Sequence, residues 1–233
     1  MKGLAKLGFT QSHSSFMWRT QRPELEQHLI ELTGYPERDF FRPNLFVNTT
    51  EILPYHLQSG EAWMFKSRIA LAATLAGNYG IYNGFELLEH EPIPGREEYL
   101  DSDKYEIRVR DWDKPGNIKP YIRDLNQARR ANAALRQTSN LHFLGIEDGN
   151  VIGFVKQSID QTNTVAVVVA LSRDVHEFWL ALADIKVGTG DERRNVTAVE
   201  NLVTGERHQL EWGGIRLRID PARDPALLFR CLA

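Results

Sequence analysis

Two short stretches carry residue types able to do chemistry on a polar substrate. The first is RPNLFVNTTEIL, residues 42–53, where an apolar run over Leu45, Phe46 and Val47 gives way to Asn48, Thr49, Thr50 and Glu51. In α/β enzymes catalytic groups sit where strands end, so a carboxylate at position 51 invites a catalytic reading. A lone carboxylate rarely does chemistry, and Glu51 calls for partners. The alternative is a structural one: Thr50 caps a short helix, and Glu51 favours its positive end. The second stretch is LDSDKYE, which sets the ammonium of Lys104 beside the phenol of Tyr105. Charge plus a directional hydrogen bond suits a phosphomonoester, although the residue types alone read as a solvated lysine beside a half-buried tyrosine.

Three weaker candidates are set aside. ELLEH (86–90) could suggest metal ligands, but Glu86 and Glu89 are close only if a helix forms, and no metal site is expected there. Trp112, between Asp111 and Asp113, reads as a loop-packing side chain. His142, His176 and His208 read as surface or strand histidines.

The elements that must position these residues fall into two groups. Up to residue 137, strand-like and helix-like stretches alternate. KLGFTQ (6–11) reads as a strand, and a helix follows with Leu25, His28, Leu29 and Leu32 on one face, stopped by Gly34. A strand over 43–48 precedes a helix over 63–77, rich in Ala and Leu and ended by Gly77. A strand over 79–83 and a helix over 117–135 complete the set. Such alternation implies a parallel sheet covered by helices. From residue 138 onward short strands alternate with turns. Asp148-Gly149-Asn150 separates LHFLGIE from VIGFVKQ as a hairpin signal, TVAVVVAL is a buried strand, and TAVENLV, RHQLEW, IRLRID and ALLFRCL follow. That pattern is one of an antiparallel β-sandwich. The fold class is therefore α/β plus all-β. Three βα units cannot close a barrel, so the first half reads as part of something larger.

Composition excludes several classes. The 233 residues are 42% hydrophobic and 25% charged with a net charge of −3, which gives no reason to expect nucleic acid or an anionic membrane as partner. The single cysteine, Cys231, forbids an intrachain disulfide and suggests a reducing cytoplasm. No signal-peptide core is present, and the longest apolar run, 165–171, is too short to span a bilayer. The sequons at Asn48 and Asn195 are expected to be chance matches.

GFTQSHSSFMWR, RPNLFVNTTEIL, IYNGFELLEH and EEYLDSDKYEIR, in that order, together with the tail LVTGERHQLEW…IRLRIDPARDPALLFR, resemble the α-1,4-glucan:maltose-1-phosphate maltosyltransferases. These belong to the α-amylase superfamily, glycoside hydrolase family 13. The resemblance spans nearly the whole chain. It implies that residues 1–137 are the last three βα units of a (β/α)8 barrel and residues 138–233 the C-terminal β-sandwich. It further implies transfer of maltosyl units from maltose 1-phosphate to the non-reducing end of an α-1,4-glucan, no metal or organic cofactor, and a homodimer. The retaining reaction needs a nucleophile and an acid/base carboxyl. By the resemblance these follow the fourth and fifth strands, outside these residues, so the isolated chain is expected to be inactive. Glu51 stands where the family motif NTPDI carries the aspartate that stabilises the transition state. Lys104 and Tyr105 match the segment that contacts the donor phosphate. His13 replaces a family tyrosine. The alternative is a non-catalytic chain, from a split or decayed gene, that binds glucan or completes a partner's fold.

Overall fold

The computed structural model describes residues 1–103 and 107–233. Three parallel strands, β1 (Ser12–His13), β2 (Pro43–Phe46) and β3 (Asn78–Gly80), form one sheet in that order. Helix α1 (Lys2–Lys6) precedes β1, helices α2 (Arg22–Thr33) and α3 (Glu37–Phe40) lead to β2, α4 (Ala62–Leu75) follows β2, and α5 (Lys119–Ala131) follows β3. Strand alternation sorts the side chains of the central strand. Leu45 and Val47 turn into the core beside Leu25 and Leu29 of α2 and Phe65 and Ile69 of α4. Phe46 faces the other way, its ring centroid 4.5 Å from that of His13. A Cβ on Gly80 would lie 2.3 Å from the Phe46 ring, so the neighbouring strand needs glycine there.

The stretch 6–11 is not a strand. Helix α1 ends there in a turn in which the Leu7 and Gly8 amides donate to the Leu4 and Ala5 carbonyls, with Gly8 at φ +99°. That left-handed backbone is incompatible with extended structure. Leu7 and Phe9 are exposed, and the strand begins only at Ser12.

The second half is antiparallel. Strands β4 (Leu141–Leu144), β5 (Val151–Gln157), β6 (Thr164–Ala170), β7 (His176–Ala181), β8 (Lys186–Val187), β9 (Arg194–Asn195), β10 (Ala198–Asn201), β11 (Arg207–Gln209), β12 (Gly214–Ile219) and β13 (Ala226–Leu232) follow one another. Six of them form a sheet in the order β11-β10-β13-β6-β5-β4, while β7 pairs with β12 and β8 with β9. One face of the large sheet, including Phe154, Val165, Val167 and Leu228, packs into the same core as α4. The opposite face, including Val155, Ala166 and Val168, packs on Phe178 and Leu180 of β7 and Leu217 and Ile219 of β12. Burial on both faces is why β6 is apolar at successive positions. His176 anchors β7 to the β4–β5 hairpin through Asp148, 2.7 Å away.

Polar contacts fasten the two halves together. Ser67 of α4 donates to the Ala170 carbonyl at 2.8 Å. Arg22 of α2 donates to the carbonyls of Ile146 and Asp148 in the hairpin at 2.6 and 3.2 Å. At the end of α4, Lys156 of β5 is fully buried and donates to the Leu75 carbonyl at 3.0 Å and to that of Gln137. Arg129 of α5 donates to the carbonyls of Ala73, Ala76 and Gly77. Carbonyls at and just beyond the end of this buried helix are thus met by two basic side chains.

Burial, and secondarily the nearby Arg129 charge, lower the Lys156 ammonium from the usual 10.5 to about 7. The unfolded chain therefore binds more protons than the folded one between those values, and stability should rise with pH across that window. Urea unfolding at pH 7 and pH 9 is expected to show this rise in the wild type and to show a smaller one in Lys156→Met. Equal pH slopes in the two proteins would overturn the assignment.

Candidate functional site

The site is built on the segment leaving β2. The Asn48 side chain is fully buried and engaged at both ends: its Nδ2 donates to the Tyr99 hydroxyl at 2.6 Å, and its Oδ1 accepts the Tyr82 amide at 2.9 Å. The sequon at Asn48 is therefore closed in the folded chain. Thr49 closes the turn that follows. Its Oγ1 accepts from the amides of Glu51 and Ile52 at 3.2 and 3.0 Å, and its own amide donates to the Ile52 carbonyl. The hydroxyl that organises the turn belongs to Thr49 rather than to Thr50, and no helix begins there. Glu51 sits on this turn at the surface, a short way beyond the C-terminal end of β2.

Glu97 and Tyr99 hold that turn and the residues after it. Glu97 accepts from the Trp18 indole and from the Tyr55 amide, both at 3.1 Å, and its carbonyl accepts the Leu53 amide at 2.9 Å. Tyr82 and Tyr99 meet edge to face with centroids 5.4 Å apart. The Tyr82 hydroxyl accepts the Asp103 amide at 2.9 Å. Arg110, almost wholly enclosed, bonds Asp103 at 2.7 Å and Glu89 at 3.0 Å, and its guanidinium lies 5.6 Å from the centre of the Tyr82 ring. Glu89 in turn crowds Gly84, where a Cβ would fall 2.1 Å from its carboxylate. Gly84 has φ +96°, so both backbone and space demand glycine. Burial raises the Tyr99 phenol well above its ordinary range, which keeps it protonated. Burial would raise Asp103 as well, but its hydrogen bonds to Arg110 and Tyr82 outweigh this and hold the carboxyl below its usual value.

The sequence-derived candidates fare as follows. Lys104 and Tyr105 lie outside the described residues, which resume at Ile107. Glu86 accepts the Gly84 amide and Glu89 pairs with Arg108 and Arg110, so both carboxylates serve the loop's own architecture. Trp112 is partly exposed, and its carbonyl accepts from Lys119. His13 lies on β1, stacked on Phe46. Among the described residues no group of three or more His, Cys, Asp or Glu could hold a metal ion, and no helix is long and apolar enough to cross a membrane. Sequence reading missed Asn48, Tyr82, Tyr99 and Arg110. The available signal was the polar Asn48 directly after Leu45-Phe46-Val47, a position where burial forces a polar side chain to find partners. A cavity of about 470 Å³, lined by residues such as Asn140, His142, Gln157 and Lys186, shares no residue with the Glu51 region.

No protein-family model matches the chain. Among solved structures, an α-amylase from Geobacillus thermoleovorans complexed with acarbose superposes with a TM-score of 0.68 at 12% identity, covering 100% of this chain and 50% of that one. The fold is thus of the α-amylase kind. Among curated proteins, the α-1,4-glucan:maltose-1-phosphate maltosyltransferase of Rhodospirillum rubrum is 43% identical over 235 residues, covering 99% of this chain and 33% of the relative. That of Chlorobaculum tepidum is 42% identical over 240 residues, covering 99% and 35%. The chain belongs to this maltosyltransferase family as a C-terminal part, and it spans about a third of the length of the curated relatives it matches.

Replacing Arg110 by methionine should leave Asp103 and Glu89 without their shared cation. We expect a loss of about 2 kcal/mol at pH 7, less than for a fully enclosed pair because Asp103 is partly exposed. The depressed carboxyl of Asp103 contributes stability above its unfolded value, and this is lost as pH falls through the folded one. The gap between wild type and Arg110→Met in urea unfolding should therefore narrow at pH 3. A gap unchanged by acid would refute the pairing.

Proposed function

We propose that this chain is the C-terminal portion of a retaining glycosyltransferase that moves maltosyl units from maltose 1-phosphate to the non-reducing end of an α-1,4-glucan. The observation that carries this reading is identity of about 40% over essentially all of the chain to maltosyltransferases. In this reading residues 1–137 are the last three βα units of a (β/α)8 barrel, and residues 138–233 are its β-sandwich. The parallel order β1-β2-β3, followed by the six-stranded antiparallel sheet, supports the division.

Retention requires a nucleophilic carboxylate and an acid/base carboxyl about 5–5.5 Å apart, with an oxocarbenium-like transition state between them. In this proposal both groups come from strands outside these 233 residues. Glu51 supplies a third carboxylate, which meets sugar hydroxyls and stabilises the positive charge developing at the anomeric carbon. Lys104 and Tyr105 hold the phosphate of the donor, the ammonium by charge and the phenol by a directed hydrogen bond. The enzyme needs no metal or organic cofactor, works as a homodimer, and resides in the cytoplasm.

Two measurements test the proposal. The purified 233-residue chain, given maltose 1-phosphate and glycogen, should release no phosphate above the buffer blank; turnover would show that it carries its own nucleophile. In the longer enzyme containing this chain, Glu51→Asp should raise the specificity constant for maltose 1-phosphate at fixed glucan concentration. The extra methylene carries the glutamate carboxylate roughly 1 Å past the point where an aspartate would sit, and a displacement of that size can cost on the order of 100-fold. A tenfold slower aspartate variant would mean that the turn is fitted to glutamate.

A further inference from the structure

We propose that Ser172, His176 and Asp148 form a second catalytic site, on the sandwich, that hydrolyses small carboxylic esters through a serine nucleophile. The inference is independent of the proposed maltosyl transfer and uses no residue of the Glu51 region. Oδ2 of Asp148 lies 2.7 Å from Nδ1 of His176, and Nε2 of the same ring lies 2.9 Å from Oγ of Ser172. Nucleophile, base and orienting carboxylate thus stand in hydrogen-bonded series. They come from the β6–β7 loop, the first residue of β7 and the β4–β5 hairpin. Asp148 is fixed at its other oxygen, which accepts the Asn150 amide at 2.8 Å. Burial would raise its carboxyl, but that amide and the His176 ring outweigh this and hold it below its usual value.

The protonation pattern follows from the partners. An ionised carboxylate only accepts, so Nδ1 carries the ring proton, Nε2 is an acceptor, and the Ser172 hydroxyl must donate to it. The competing acceptor, Oδ2 of Asp174, is farther away at 3.3 Å, and the Asp174 amide donates back to the Ser172 oxygen. His176 is 4% exposed, which shields the base from water. Ser172 is half-buried, and its loop neighbours Arg173, Asp174 and Val175 are exposed. Among the described residues the amides of Ser172 and Arg173 donate to no other group. Two backbone donors therefore stand beside the nucleophile for the oxygen on which negative charge develops. An open loop with an exposed apolar side chain, Val175, suits a short acyl group. Ser172 Oγ bonds the acyl carbon of the ester while its proton passes to Nε2, and the alcohol departs with that proton. Water then attacks the acyl-serine, giving a proton to Nε2, and Ser172 recovers it as the carboxylic acid leaves.

The 233-residue chain serves for the test. A fluorophosphonate should label Ser172, its oxygen displacing fluoride from phosphorus, with the site read by peptide mass spectrometry. The label should be lost in urea, because activation depends on the fold. No label on the folded chain, or label only at other side chains, would overturn the proposal. Hydrolysis of 4-nitrophenyl acetate should fall at least roughly tenfold in Ser172→Ala, and equal rates in variant and wild type would likewise refute it. Asp148 is a positioning residue, since it acts through the ring. Asp148→Asn removes the charge that keeps the ring proton on Nδ1, so the rate constant for labelling Ser172 should drop at least roughly tenfold. A purely structural role would shrink the folded fraction, and with it the labelled amount, while leaving that rate constant unchanged. An unchanged rate constant therefore overturns the assigned series.

Discussion

Helix α4 must end inside the protein, and most of the architecture follows from how its last carbonyls are satisfied. A helix leaves four carbonyls without intrahelical partners, and in a buried place water cannot supply them. Here Lys156 arrives from the six-stranded sheet and Arg129 from α5, and their donors divide the carbonyls of Ala73, Leu75, Ala76 and Gly77 between them. Because the two cations come from different elements, satisfying one helix end also fixes the sandwich and α5 on the parallel sheet. The arrangement has an electrostatic cost. Two positive charges share one helix terminus, and burial leaves Lys156 a weak base of about 7. The dipole of α4 offsets part of that cost.

The same logic, with neutral groups, governs the other end of the parallel sheet. Beyond β2 the chain must turn while still enclosed, and the first residue past the core, Asn48, is an amide able to donate and accept at once. Its two hydrogen bonds go to the tyrosines that support the following loop, so the polar requirement of burial becomes the means of joining segments remote in sequence. Arg110 plays the charged counterpart, enclosed between Asp103 and Glu89 over the Tyr82 face.

Much of this was legible beforehand, and the failures have physical causes. Periodicity located α2 and α5, Ala and Leu content located α4, and the Asp148-Gly149-Asn150 signal located the β4–β5 hairpin. The strand expected over 6–11 fails because Leu7 and Phe9 lie in solvent, on a turn that Gly8 makes possible. Strand β7 went unread although His176, Phe178 and Leu180 alternate with exposed neighbours; its short stretch carries a histidine and a glutamate that dilute the apolar signal. The Asn48 linkage was out of reach for a different reason. Hydrogen bonds between residues 34 and 51 positions apart leave no local pattern.

The turn after Asn48 also bears on the two substitutions that separate this chain from the motif NTPDI. Its hydrogen bonds use the amides of Thr49, Glu51 and Ile52, and the organising hydroxyl is that of Thr49, which the motif shares. Position 50 contributes no amide to these bonds, so threonine there can replace proline without losing one of them; what it gives up is the fixed φ. Entropy, then, is the main change at position 50, and reach is the change at position 51. A turn pinned by Thr49 on one side and Asn48 on the other has little freedom to retreat by the length of a methylene. The longer side chain must therefore be accommodated by its own rotamers, at the surface beyond the end of β2.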